Sequence, residues 1–140
     1  MFTNLKGVST VIVVDQDKFL ILRRSKTSRG AGFWNFPGGS IEEGESPEVA
    51  GARELKEEAD LDVNSDNIKY VGELTTPRLR IFFYITNEFS GTVKINKESD
   101  EFKWIKIDEL KDNLFVGGGS INPELVKIIR SFISEETKVD

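Results

Sequence analysis

GGSIEEGESPEVAGARELKEEADL, residues 38–61, sets eight acidic side chains against two basic ones, Arg53 and Lys56. Within it, Ser46 and Pro47 form the N-cap and first-turn pair that starts a helix. At roughly 100° per residue, Val49, Ala52, Leu55 and Ala59 gather on one side of that helix. Arg53, Glu54, Glu57 and Glu58 fall within an arc of roughly 140° on the other. The apolar side predicts a helix laid on a sheet. The charged side puts like charges on neighbouring turns, which costs stability unless a cation sits among them. Ionised carboxylates attract hard divalent cations, and an oxygen-only donor set favours Mg2+, Mn2+ or Ca2+. A solvated charged face is the plain alternative, and most charge runs are that.

The flanks supply the sheet. VSTVIVVD (8–15) and KFLILRRS (18–25) are apolar, β-branched runs parted by a short turn, so they read as adjacent strands. IKYVGELT (68–75), RLRIFFYITNEF (78–89) and EFKWIKI (101–107) are further strand candidates. A second helix is predicted from Asn122 and Pro123 through ELVKIIRSFI. Strands and helices alternate irregularly, which predicts an α/β layered domain with a mixed sheet. VGGGS at 116–120 reads as a surface loop, because an apolar segment follows it directly. With no repeat and no convincing linker, residues 1–140 read as one domain.

Composition narrows the chemistry. The chain has neither cysteine nor histidine. Disulfides, zinc sites of the usual nitrogen and sulfur ligands, and every imidazole-based scheme are excluded. Acid–base work falls to carboxylates, Lys, Tyr or metal-bound water. No apolar run reaches the length of a membrane span, and the N-terminus MFTNLKGVSTVIVVD has no signal-peptide pattern. These features predict a cytoplasmic protein without a membrane partner. A net charge of −5 and a pI near 4.9 argue against nucleic acid as the partner. Such a chain handles phosphates only with local cations.

Spacing adds a resemblance. Gly39, five residues, Glu45, seven residues, Arg53-Glu54-Leu55-Lys56-Glu57-Glu58, then Ala59-Asp60-Leu61 resembles the Nudix box of the MutT/Nudix hydrolases. One position departs: Asp60 stands where the family has a helix-ending glycine. FLILRRS (19–25), FWNFPGG (33–39) and ESDEFKWIKIDEL (98–110) also look like family segments, so essentially the whole chain is covered. The resemblance implies an α/β/α sandwich. It implies Mg2+-dependent hydrolysis, with Mn2+ able to substitute, of a pyrophosphate bond in a nucleoside-diphosphate-linked substrate.

It also implies roles. Glu57 and Glu58 resemble the core metal ligands, and Glu54 a third ligand or the base that orients water. The Gly38 carbonyl completes the coordination, since a glycine lets the backbone approach closely. Arg53 fixes the carboxylates by pairing with Glu45 or Glu54. A distal Glu serves as fourth ligand or general base. Glu98 is preferred over Glu101, which reads as the start of a strand. Arg23 and Arg24 are adjacent on a predicted strand, so one of them faces the cleft and grips a terminal phosphate. Asn35 and Asn122 resemble base-reading positions of MutT-like enzymes, although Asn122 is equally well explained as an N-cap. Phe33, Trp34 and Phe36 are more often core than a stacking platform. Pro77 is similar to a marker of ADP-ribose hydrolases and carries little weight.

The leading expectation is a nucleoside triphosphate pyrophosphohydrolase, with damaged nucleotides among its candidate substrates. Hydrolysis of ADP-ribose or a dinucleoside polyphosphate is second. A non-catalytic, nucleotide-sensing Nudix module is the alternative from another class; such modules often lose box carboxylates, and here all three are present. The expected partner is a small nucleotide, and the chain a monomer or homodimer.

Overall fold

The computed structural model describes residues 5–26, 31–109 and 123–137. Strands β1 (Lys6–Asp15) and β2 (Lys18–Arg24) form an antiparallel hairpin with Val14 opposite Phe19. Next come β3 (Trp34–Asn35), β4 (Gly38–Ser40), helix α1 (Pro47–Ala59), β5 (Lys69–Thr75), β6 (Leu79–Thr86), β7 (Ser99–Lys106) and helix α2 (Pro123–Thr137). The sheet runs β3-β2-β1-β6-β5, with β4 also on β1 and β7 also on β2. β1 and β6 are parallel from Lys6 opposite Leu79 to Val13 opposite Thr86, and the other pairs are antiparallel. The sheet is therefore mixed.

β1 shows why a helix covers each face. Side chains alternate along a strand. Ile12 and Val14 point into one core with Leu125 and Ile129 of α2. Val11 and Val13 point into another with Leu55 and Ala59 of α1. A strand buried on both faces reads as a continuous apolar run, which is what residues 11–14 are. The result is the α/β/α sandwich.

Ser46 caps α1: its hydroxyl accepts from the Val49 amide at 3.2 Å. The helix lies on the sheet differently from its expected apolar stripe. Val49 is 46% exposed, while Glu58, placed on the charged side by the wheel, is only 7% exposed. Gly51 is the reason. A Cβ there would stand 2.9 Å from Ser9 Oγ and Val11 Cγ2. The helix presses against β1 through this small residue, which turns Ala50, Leu55, Glu58 and Ala59 inward. Asp60 then ends the helix in the left-handed conformation, φ 58° and ψ 30°, its amide donating to the Lys56 carbonyl. Asp tolerates that conformation better than most residues, and its carboxylate meets Lys56 Nζ at 3.0 Å. The helix stops where the box glycine would stop it.

Elsewhere the elements shift by a few residues. The strand expected over 78–89 ends at Thr86, and the one expected from 101 starts at Ser99. Gly38 and Gly39 form β4 against β1, with Thr10 opposite Gly38. Asn122 lies outside the described residues.

Candidate active site

Three segments meet around the carboxylates of α1: β4, the helix itself and the loop before β7. Glu58 is buried against β4, where the Gly38 amide donates to its Oε1 at 2.7 Å. Burial, then repulsion from Glu54 and Glu98, push its pKa up to about 8, against the Gly38 hydrogen bond and the Arg24 charge. Glu54 lies directly over Gly39. Its pKa is also raised, first by burial and then by Glu57 and Glu98, against the pull of Arg53. Glu57 sits at the mouth, its side chain 56% exposed.

Arg53 organises this face. Its guanidinium donates to both Glu45 oxygens at 2.7 and 3.0 Å, to Glu54 at 2.9 Å and to Glu57 at 3.3 Å. A further bond at 2.9 Å reaches the Ser40 carbonyl of β4. One planar fork thus ties the helix to the loop and the sheet.

Among the described residues, no three carboxylates yet close around one point. Glu54 and Glu57 accept from Arg53, and Glu58 accepts from the Gly38 amide. The donor chemistry nevertheless fits a hard divalent cation. All donors are oxygens, and burial first, then neighbouring carboxylates, raise the pKa of both Glu54 and Glu58, a cost that a cation among them would offset.

The two distal candidates part company. Glu98 is close enough for its charge to act on Glu54 and Glu58. Glu101 lies on β7, with Oε2 3.4 Å from Arg23 Nη1. The adjacent arginines separate as strand alternation requires. Arg24 lines a cavity of about 620 Å3 together with Asn35, Phe36, Gly38 and Gly39 on one side and Leu125 of α2 on the other. Arg23 does not reach it: its Nε is 2.6 Å from Asp100 Oδ1, and its guanidinium lies over the Trp34 ring. Phe36 belongs both to the core, 5.8 Å from the Phe19 ring, and to the cavity wall. Trp34 is core, and Phe33 is exposed. Pro77 is exposed in the β5–β6 turn.

Sequence reading missed Thr10, which lines the cavity beside Gly38, and Asn96, which binds the Glu98 amide. An Asn two residues before the candidate base was a turn signal, but its second partner lies 39 residues away in α1.

The two glycines of β4 make separable demands. A Cβ on Gly38 would meet backbone, the Ser9 carbonyl and, at 2.9 Å, Thr10 Cα. Gly38→Ala is expected to lower stability by about 3 kcal/mol through overpacking. A Cβ on Gly39 would have the three heavy atoms of the Glu54 carboxylate as its nearest neighbours. Gly39→Ala is expected to melt near the wild type yet lose about a hundredfold in kcat, because it displaces one site group. Thermal melts beside turnover assays check both; equal damage to stability in the two variants would contradict the distinction.

The fold and this geometry have relatives. The family model of the NUDIX domain matches residues 3–125. An oxidized purine nucleoside triphosphate hydrolase of Danio rerio is 34% identical over 118 residues, covering 79% of this chain and 71% of its own. An 8-oxo-dGTP diphosphatase of Buchnera aphidicola is 27% identical over 100 residues, 71% of this chain and 76% of its own. A solved MutT structure, from work on Aliivibrio salmonicida and Vibrio cholerae, has a TM-score of 0.76 at 27% identity, covering 92% and 99% of the two chains. The chain belongs to the Nudix family and is a hydrolase of that family. Nudix hydrolases generally use divalent metal ions. No helix among the described residues is long and apolar enough to cross a membrane.

Proposed function

We propose that this hydrolase cleaves a nucleoside triphosphate, an oxidised purine nucleotide among its substrates, to the monophosphate and pyrophosphate. Mg2+ is the natural metal in this reading and Mn2+ a substitute. One observation carries it: Gly38 and Gly39 line the 620 Å3 cavity on one side and touch Glu58 and Glu54 on the other. A nucleotide with its base in the cavity runs its phosphates across two residues without side chains and onto the carboxylates. Asn35 offers a donor and an acceptor at the base end, and Arg24 offers a charge to the phosphates. The two curated relatives are named for oxidised purine nucleoside triphosphates, which supports the same substrate class.

Glu54, Glu57 and Glu58, with the Gly38 carbonyl, would hold the metal. When bound, the ion offsets the charge of the polyphosphate and acidifies the attacking water. Glu98 would accept the proton of the attacking water. Arg53 keeps Glu54 and Glu57 aligned on α1. The substrate is a small nucleotide of the cytoplasm; at a net charge of −5 the chain suits no nucleic-acid partner.

Product analysis in isotopically labelled water tests the bond that breaks. Monophosphate plus pyrophosphate from 8-oxo-dGTP or dGTP, with little turnover of ADP-ribose, is the expected result. AMP and ribose phosphate from ADP-ribose, with triphosphates inert, would overturn it.

The pH dependence follows from Glu58. Its carboxyl holds a proton up to a pKa of about 8, through burial and its acidic neighbours. A ligand carboxylate must shed that proton before it binds metal, so protons and metal compete. Activity is expected to rise toward alkaline pH, and the Mg2+ concentration for half-maximal rate to rise as pH falls. A rate maximum near pH 5 would contradict this.

A further inference from the structure

Asn96 holds two backbone groups at once. Its Nδ2 donates to the Glu57 carbonyl at 3.0 Å, and its Oδ1 accepts the Glu98 amide at 2.9 Å. Only an amide side chain offers a neutral donor and acceptor side by side. Other bonds fix the same segment from both flanks. The Lys94 amide donates to the Ala59 carbonyl at 2.9 Å, at the end of α1. On the other side, at the end of β2, the Ser25 amide donates to the Glu98 carbonyl at 2.9 Å and its hydroxyl to the Lys97 carbonyl at 2.9 Å. The loop carrying Glu98 is thus stretched between the helix that bears the carboxylates and the strand that bears Arg24.

We propose that Asn96 is a positioning residue that registers Glu98 against the backbone of α1 and acts on the reaction only through Glu98. The inference rests on the reading of Glu98 as the proton acceptor. Both of its anchors are backbone atoms, so the register does not depend on how the carboxylates of Glu54 and Glu57 rearrange when substrate arrives. Glu57 is also among the last three residues of α1, beyond Lys56, whose carbonyl takes the Asp60 amide, so the Glu57 carbonyl lacks a helical partner. A purely structural Asn96 would cap that carbonyl and do nothing more. The two roles make different predictions.

A double-mutant cycle with Glu98→Gln separates them, using 8-oxo-dGTP as substrate, with kcat, KM and melting temperature recorded for each protein. Glu98→Gln alone is expected to lose about a hundredfold or more in kcat, as the loss of a general base does. Asn96→Ala is expected to lose between about tenfold and a hundredfold in kcat in the wild-type background, the effect of a misplaced base. KM should stay within about twofold of the wild type, because the loop does not line the cavity. In the Glu98→Gln background the same substitution should change kcat by less than about twofold, since the group it positions no longer acts. Should Asn96→Ala fail to fold, Asn96→Ser, which keeps an acceptor for the Glu98 amide, enters the same cycle. An equal loss of kcat in both backgrounds would overturn the inference and leave Asn96 as a helix cap. Wild-type turnover in Glu98→Gln would instead remove Glu98 from the mechanism, and the inference would fall with that reading.

Discussion

Glu57→Gln is expected to lower kcat by about three orders of magnitude while leaving the melting temperature close to that of the wild type. The two halves of that result have different causes. Glu57 is the most exposed of the three box carboxylates on α1, and its side chain accepts from Arg53 Nη1 at 3.3 Å. An exposed pair of that kind contributes little to stability. Gln has the same length and shape, so the helix and its packing are unchanged. What is lost is one negative oxygen at the mouth, where the proposed binding mode would bring the phosphates from Gly39 toward α1. Turnover at saturating Mg2+ and a melting curve on the same preparation check it. Turnover near that of the wild type would remove Glu57 from the metal site. A collapse in stability would show that its role was structural.

The parts of this structure legible in the sequence are those whose causes are local. The box spacing places Arg53, Glu54 and Glu57 on one face through the helical repeat alone, and Ser46-Pro47 marks the helix start by local capping. Residues 11–14 declare a buried strand because helices cover both faces. What was not legible depends on partners distant in sequence. Alternation says that only one of Arg23 and Arg24 faces the cleft. Which one depends on how β2 sets against β7, where the register shifts between these two residues. β4 is a strand because Gly38–Ser40 pair with Val8–Thr10, although glycine disfavours strands on its own. Glu58 turned inward because Gly51 lets the helix settle on Ser9 and Val11, a contact no helical wheel contains. Asn96 went unnoticed because half of its role is a bond to Glu57.

Replacing Arg53 is expected to damage both fold and rate, and the choice of replacement separates the two effects. Arg53 makes its bonds with a rigid fork: two to Glu45, one each to Glu54 and Glu57, and one to the Ser40 carbonyl. Lys keeps the charge but is a point donor on a flexible stem and cannot reproduce the fork. Arg53→Ala removes the charge as well and leaves Glu45 and Glu54, both largely shielded from solvent, without their cation. It is expected to melt roughly 5–10 °C lower than the wild type, as the loss of several charge-assisted bonds implies. Arg53→Lys should recover part of that stability, because a cation remains near the carboxylates. It should not recover kcat, which is expected to stay about a hundredfold below the wild type in both variants. In the proposed reading rate depends on how Glu54 and Glu57 are aligned, and Lys supplies charge without direction. Melting curves and steady-state turnover of the two proteins decide the point. A lysine variant with wild-type kcat would show that positive charge alone suffices at position 53, and that alignment of the carboxylates comes from elsewhere in the fold.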